Sequence, residues 1–254
     1  MFSRREALSL SNVQFSKSKE AVQQGEQLLA SRVFQQASFD KHILTTIFSY
    51  RVRFYLTHPL SEHFSVFNPL SGKEKCISGE VSIYKRCYGI LDSAIQTRNV
   101  ANVSRSLVAT ASELLGCSIQ ARDVPIYTRP DRFGNRVEYP EPGTLDKQLL
   151  LLAGYIVDSP VPSFARGIVA TTAFLNLHPF CDGNGRVGRI LLNYMWGRAP
   201  DNYVPVSVIH ALSKGGYEIR LRSAQVFNEW DDLVAYYFFI VQILHLDART
   251  RASD

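Results

Sequence analysis

Apolar side chains recur at steps of three and four residues along most of this chain, the spacing that lines one face of a helix. Over 19–36, Val22, Leu28, Leu29 and Val33 share such a face, with Gly25 as a weak point inside it. An aromatic-rich stretch at 39–56 predicts a second helix, ended by His58-Pro59. Residues 67–79 hold Asn-Pro and two Ser-Gly pairs, which predict a loop and a boundary. Helices are expected at 80–97 and 103–116, the latter closed by Gly116. Further helices are expected at 145–157 with Thr144 as N-cap, at 164–177 with small residues Ala165, Gly167 and Ala170, and from 186 to about 197. Two long ones, 206–226 and 228–246, finish the series. Only 126–139 breaks the period: two short β-prone runs flank a Gly-Asn turn, a hairpin closed by Pro140, Pro142 and Gly143. Residues 1–15 are polar and serine-rich, the pattern of a loose tail. The fold class is therefore mainly α with one β-hairpin.

Composition changes this picture little. Hydrophobic residues at 46% and charged residues at 20% suit a globular chain that buries a core. A net charge of +5 favours an anionic ligand without requiring nucleic acid, which is not expected as a partner. Cys76, Cys87, Cys117 and Cys181 are scattered, with no metal-ligand spacing, and read as reduced thiols. No apolar run is long enough for a bilayer, and no cleavable leader follows Arg4 and Arg5. No membrane association and a cytoplasmic setting are the expectation; secretion as an effector without a cleaved signal stays open.

The chemistry concentrates in His178-Pro-Phe-Cys-Asp-Gly-Asn-Gly-Arg-Val-Gly-Arg189. Pro179 ends one helix, and the Asp182-Gly-Asn-Gly185 run turns the chain into the next. Such a junction presents backbone N–H groups and a positive helix end to an anion. Gly183 and Gly185 allow phosphate oxygens close to the backbone, and Asn184 has an amide to donate. Arg186 and Arg189, one turn apart, suit a polyphosphate. Asp182 offers a hard oxygen to Mg²⁺, and His178 can take a proton from an attacking hydroxyl near neutral pH. A plain helix–turn–helix corner explains the glycines alone but not the histidine and both arginines. Together they describe phosphoryl or nucleotidyl transfer.

This string resembles the signature of the Fic family, most of whose members transfer AMP from ATP to protein side chains. The resemblance is strongest over 120–245 and implies a Fic catalytic domain at 76–246. Before it lies an N-terminal helical extension at 1–75, and after it a tail at 247–254. It implies a Fic-type helical bundle whose flap, 126–139, aligns a protein target by strand addition. His178 would then be the general base, and Arg186 would neutralise the departing pyrophosphate. Asp182 would bind Mg²⁺, Gly183, Asn184 and Gly185 would hold the α- and β-phosphates, and Arg189 would engage the γ-phosphate. Tyr217 and Leu221 resemble a pattern near the adenine, and Phe180 would anchor the loop in the core. Relatives that phosphorylate their targets carry Lys at the place of Gly185, so the glycine favours AMP as the transferred group. A Fic-fold phosphotransferase or other nucleotidyltransferase and a non-catalytic interaction module are the competing readings.

The family's inhibitory pattern, Ser/Thr-x-x-x-Glu followed by Gly or Asn, has no full match. Ser16 with Glu20 is its nearest approach, and Ala21 follows. A solvated helix surface is the plainer reading of Glu20, and a separate partner is the other source of inhibition. Cys181 fills the variable position of the motif. His42, His58, His63, His210 and His245 lack metal spacing. The aromatic clusters at 48–55 and 236–240 read as core.

Overall fold

The computed structural model describes residues 2–4, 6–39, 74–128, 136–213 and 215–253. The helix expected at 39–56 lies outside them but for its first residue. In chain order the elements are β1 (Phe2–Arg4), α1 (Lys19–Ala30), α2 (Arg32–Gln36), α3 (Glu74–Gln96), α4 (Val100–Leu115) and β2 (Arg136–Glu138). There follow α5 (Leu145–Val157), α6 (Phe164–Leu177), α7 (Asn184–Met195), α8 (Val206–Leu212), α9 (Gly216–Phe227) and α10 (Asp231–Ser253). The mainly α class holds, and α5 and α6 have the bounds that periodicity gives.

The differences have local causes. The helix expected over 19–36 breaks at Ser31, whose backbone is extended and whose hydroxyl accepts from the Phe34 N–H. The serine thus ends α1 and caps α2. The helix expected over 206–226 breaks at Ser213, which accepts from the Tyr217 N–H, and at Gly215, whose φ is +87°. Thr144 stands at the N-cap position of α5 as expected, but its hydroxyl makes no capping bond and donates back to the Glu141 carbonyl. Helix α3 begins six residues inside the expected loop at 67–79, and α10 runs on to Ser253 through the expected tail. Residues 1–15 are not a loose tail throughout, because β1 pairs in parallel with β2 and Leu10–Asn12 form a 3-10 turn.

The chain divides into two compact units. The first comprises 1–13, 86–159 and 169–192, and the second 14–85, 160–168 and 193–254. In the first, Val103, Leu107, Ala111 and Leu114 of α4 and Leu149, Leu152 and Ile156 of α5 are buried as those helices pack together. Gly116 ends α4 in a left-handed conformation at φ +69°, the cap expected of it. A Cβ on Gly188 of α7 would lie 3.1 Å from Leu175 Cδ2 of α6, so the glycine sets how closely these helices approach.

In the second unit, the first backbone N–H groups of α6 are satisfied from another helix. Glu26 of α1 accepts from the Phe164 N–H at 2.7 Å, the Ala165 N–H at 3.1 Å and the Ser163 hydroxyl at 3.0 Å. The adjacent Gly25 makes that approach possible, since a Cβ there would sit 2.6 Å from Phe164 Cδ1. Replacing Gly25 by alanine gains about 1 kcal/mol of helix propensity. Forcing the fully buried Phe164 aside costs about 1–3 kcal/mol. The clash wins, so Gly25→Ala is expected to lower the denaturant midpoint; an unchanged or higher midpoint would show that the helices can part without cost.

Arg198, fully buried, donates to the carbonyls of Phe34, Ala37 and Asn202 and lies over the rings of Phe34 and Phe39. Burial pushes its guanidinium down to about 10, and the three acceptors hold the charge in place. Asp231, at the start of α10, accepts from the hydroxyls of Ser16 and Ser18 and the N–H groups of Lys17 and Ser18. Partial burial pushes this carboxyl upward, but the four donors outweigh it and hold it below its ordinary range.

Candidate active site

All geometry at the motif lies within the first unit. The last helical bond of α6 runs from the His178 N–H to Phe174 O at 3.0 Å, and Pro179 has no N–H to continue it. His178 itself has φ +48°, a left-handed conformation that costs a branched or bulky residue on the order of 1 kcal/mol. Tertiary bonds hold it there. The Arg122 Nε donates to His178 O at 2.9 Å, and the Arg122 N–H donates to Pro179 O at 2.8 Å. The imidazole is half-buried and stacks on Tyr139 with centroids 4.1 Å apart.

Phe180 drops into the core, fully buried against Phe174, and anchors the loop as expected. Asn184 then closes the loop on itself. Its Oδ1 accepts from the Phe180 N–H at 3.0 Å, and its Nδ2 donates to Phe180 O at 2.6 Å. The side chain is 2% exposed, so the structure gives Asn184 the work of shaping the loop. Gly183, at φ +86°, is needed twice over: for its backbone and because a Cβ would meet Leu114 Cδ2 at 3.1 Å. The Val187 N–H bonds to Gly183 O and starts the ladder of α7. The N–H groups of Asn184, Gly185 and Arg186 therefore fall in the first turn, where a helix offers no acceptor.

The charged groups surround that turn. Asp182 Oδ1 accepts from the Gly183 N–H at 2.6 Å, and Oδ2 pairs with Arg186 Nη2 at 3.1 Å. With both side chains well exposed, such a pair contributes about 0–1 kcal/mol to stability. Its consequence is instead to keep Arg186 at the loop mouth. Arg189 Nη1 lies 3.5 Å from the place a Cβ on Gly185 would take, and nothing nearer surrounds that place. Gly185 is exposed. The backbone at Gly185 is thus open on the face that carries the Arg189 guanidinium.

Among the described residues no three His, Cys, Asp or Glu side chains converge on a metal-sized site. One exposed carboxylate suits Mg²⁺ that takes its other ligands from substrate phosphates and water, and Asp182 is such a carboxylate.

The hairpin at 126–139 is present at its base. The Thr128 N–H bonds to Val137 O at 2.8 Å, the Tyr139 N–H bonds to Ile126 O at 3.0 Å, and Tyr127 bridges Glu138 in antiparallel sense. Its turn lies outside the described residues. Beneath it, Arg122 is 4% exposed and donates to carbonyls on both sides: His178 and Leu177 of the motif arm, Val124 and Pro140 of the hairpin arms. Burial lowers its pKa, while Cys181, Glu138 and Tyr139 oppose that.

Of the residues singled out in the sequence, His178, Asp182, Gly183, Asn184, Gly185, Arg186 and Arg189 come together in this loop and first turn. Tyr217 belongs to the second unit, where it is buried and stacks on His210 at 3.5 Å, in a cluster with Tyr236 and Tyr237. Glu20 is exposed and accepts from Gln24 of its own helix. Two contributors were missed, Arg122 and Tyr139. A lone arginine before Asp-Val-Pro carries no mark of burial, and Tyr139 read only as the end of a strand.

The sequence profile of the Fic/DOC family matches residues 95–196. The fold is that of two solved Fic-1 structures from C. elegans, both of residues 134–508, one carrying the substitution E274G and one without it. Each is 16% identical, with 93% of this chain and 72% of that one covered, at TM-scores of 0.52 and 0.53 respectively. A Fic family protein from Desulfovibrio desulfuricans G20 is also 16% identical, with 96% and 68% covered at a TM-score of 0.52. No curated protein matches. Among the described residues no helix is long and apolar enough to cross a membrane.

Proposed function

We propose that the chain, whose residues 95–196 match the Fic/DOC family, transfers AMP from ATP to a Ser, Thr or Tyr hydroxyl of a protein target. The observation that carries this reading is the open first turn of α7, with Gly185 exposed, Arg189 against it and His178 across the loop.

In the proposed reaction His178 accepts the proton of the target hydroxyl as its oxygen bonds to the α-phosphorus of ATP. The bond from that phosphorus to the bridging oxygen breaks, and pyrophosphate departs. Arg186 and Arg189 meet the charge that develops on it, and the first-turn N–H groups of Asn184, Gly185 and Arg186 hold phosphate oxygens, the Gly183 N–H being taken by Asp182. Asn184 keeps those N–H groups in place through its two bonds to Phe180. Mg²⁺ at Asp182 would screen the phosphates and favour departure of pyrophosphate. The target is a protein segment presented along 126–139, and ATP as co-substrate points to the cytoplasm, of the producing cell or of one that receives the protein.

The position of the label decides the reaction. With ATP labelled at the α-phosphate, target proteins become radioactive; with ATP labelled at the γ-phosphate, they do not. Label from the γ-phosphate would establish a phosphotransferase instead.

Gly185 gives a second check. Gly185→Lys places a long cationic chain over the first turn, where only Arg189 is near, so thermal stability should hold within about 0.5 kcal/mol. AMP transfer should fall on the order of a hundredfold, comparable to loss of one preorganised phosphate donor. Undiminished transfer by a folded Gly185→Lys protein would remove the phosphates from this seat.

A further inference from the structure

The hairpin strand β2 has two edges. One pairs with 127–128, and the other carries β1 in parallel, with Phe2 opposite Arg136, Ser3 opposite Val137 and Arg4 opposite Glu138. An open strand edge is a template for any extended segment, and one edge seats one strand. This edge lies beside the candidate base. Tyr139, the residue after β2, stacks on His178 at 4.1 Å, and Arg122 joins Pro140 O to His178 O. A strand laid along β2 therefore runs next to the imidazole.

The segment that follows β1 is tied down a second time. Asn176, fully buried in α6 two residues before His178, donates from Nδ2 to Glu6 O at 2.9 Å. Two attachments, residues 2–4 on the hairpin and Glu6 on the helix that delivers the histidine, tie this end of the chain to the unit.

We infer that residues 2–4 are a resident strand that holds the free edge of β2 closed to an incoming target, and that a target docks only when this strand is displaced. The inference rests on the proposed transfer to proteins for its consequence, but the occupancy of the edge stands apart from it. Control by this device needs no inhibitory glutamate and acts on the protein acceptor, leaving the phosphate seat unchanged. ATP affinity should accordingly be the same whether the strand is seated or released.

Two full-length variants test it. Ser3→Cys with Val137→Cys places thiols on residues paired in register, within the Cα separation a disulfide spans. Ser3→Pro with Arg4→Pro removes two successive N–H donors from β1, so pairing fails whichever of them bonds to β2. Label from α-labelled ATP on other proteins and hydrogen exchange at 136–138 are followed together. The oxidised cysteine pair should transfer on the order of tenfold or more slowly than the same protein after reduction, and each single-cysteine variant should ignore the oxidant. The proline variant should transfer faster than the wild type, with faster exchange at 136–138. Equal transfer by locked and reduced protein would overturn the inference, as would unchanged exchange in the proline variant. If no form transfers label, the function proposed above fails, and the exchange at 136–138 alone decides whether the strand occupies the edge.

Discussion

Replacing His178 by alanine should reduce AMP transfer by roughly a hundredfold to ten-thousandfold, the range associated with a positioned general base. ATP·Mg²⁺ binding should change little, because in the proposed mode the phosphates are met by the first turn of α7 with Arg186 and Arg189 and not by the imidazole. The substitution has a structural cost that must be separated from the chemical one. Position 178 has φ +48°, and the ring also stacks on Tyr139, so alanine loses packing and stays in a disfavoured conformation. His178→Asn is the companion variant. Asparagine tolerates the left-handed conformation better than alanine and cannot replace imidazole as a base. Both variants should lose transfer alike while differing in melting temperature, the His178→Asn protein being the more stable. If transfer followed stability instead, His178 would be a packing residue.

Arg122→Met is expected to have the largest effect on stability, about 3–5 kcal/mol. The change keeps the length of the chain but leaves the carbonyls of His178, Leu177, Val124 and Pro140 without their common donor. Burial of a guanidinium costs free energy, yet the cost of leaving several buried acceptors bare is greater. At temperatures where the variant is folded, kcat should fall more than KM for ATP, since the arginine fixes the lip that carries His178 and makes no contact with the phosphate turn. Arg122→Lys should recover little of either loss, because an ammonium cannot spread over acceptors on three segments. A variant with normal kcat and reduced stability would make Arg122 a structural fastener alone.

How much of this was legible in the sequence depended on whether the cause was local. Helices α5 and α6 were readable to the residue because their apolar faces are complete and Pro and Gly flank them. Gly116 announced its left-handed cap. The breaks at Ser31 and Ser213 were hidden, because the apolar period continues across them while a hydroxyl ends one helix and caps the next. The same contrast holds in the site. The loop from His178 to Arg189 could be named in advance, since each residue type carries its own chemistry. The turning inward of the Asn184 amide follows from the backbone of Phe180, four residues away, whereas the sequence alone assigns that amide to a phosphate. Arg122 was invisible because its partners lie on segments far apart in sequence, and Phe2–Arg4 because strand pairing at an edge leaves no mark in so short a run.

The most direct measurement is mass spectrometry of proteins incubated with ATP·Mg²⁺ and either the wild-type chain or its His178→Ala form. The wild type should leave an adenosine monophosphate adduct on a serine, threonine or tyrosine hydroxyl of at least one protein, and the His178→Ala form should leave none. A phosphate adduct in its place, or the same adenylyl adduct in equal yield from both forms, would contradict the account.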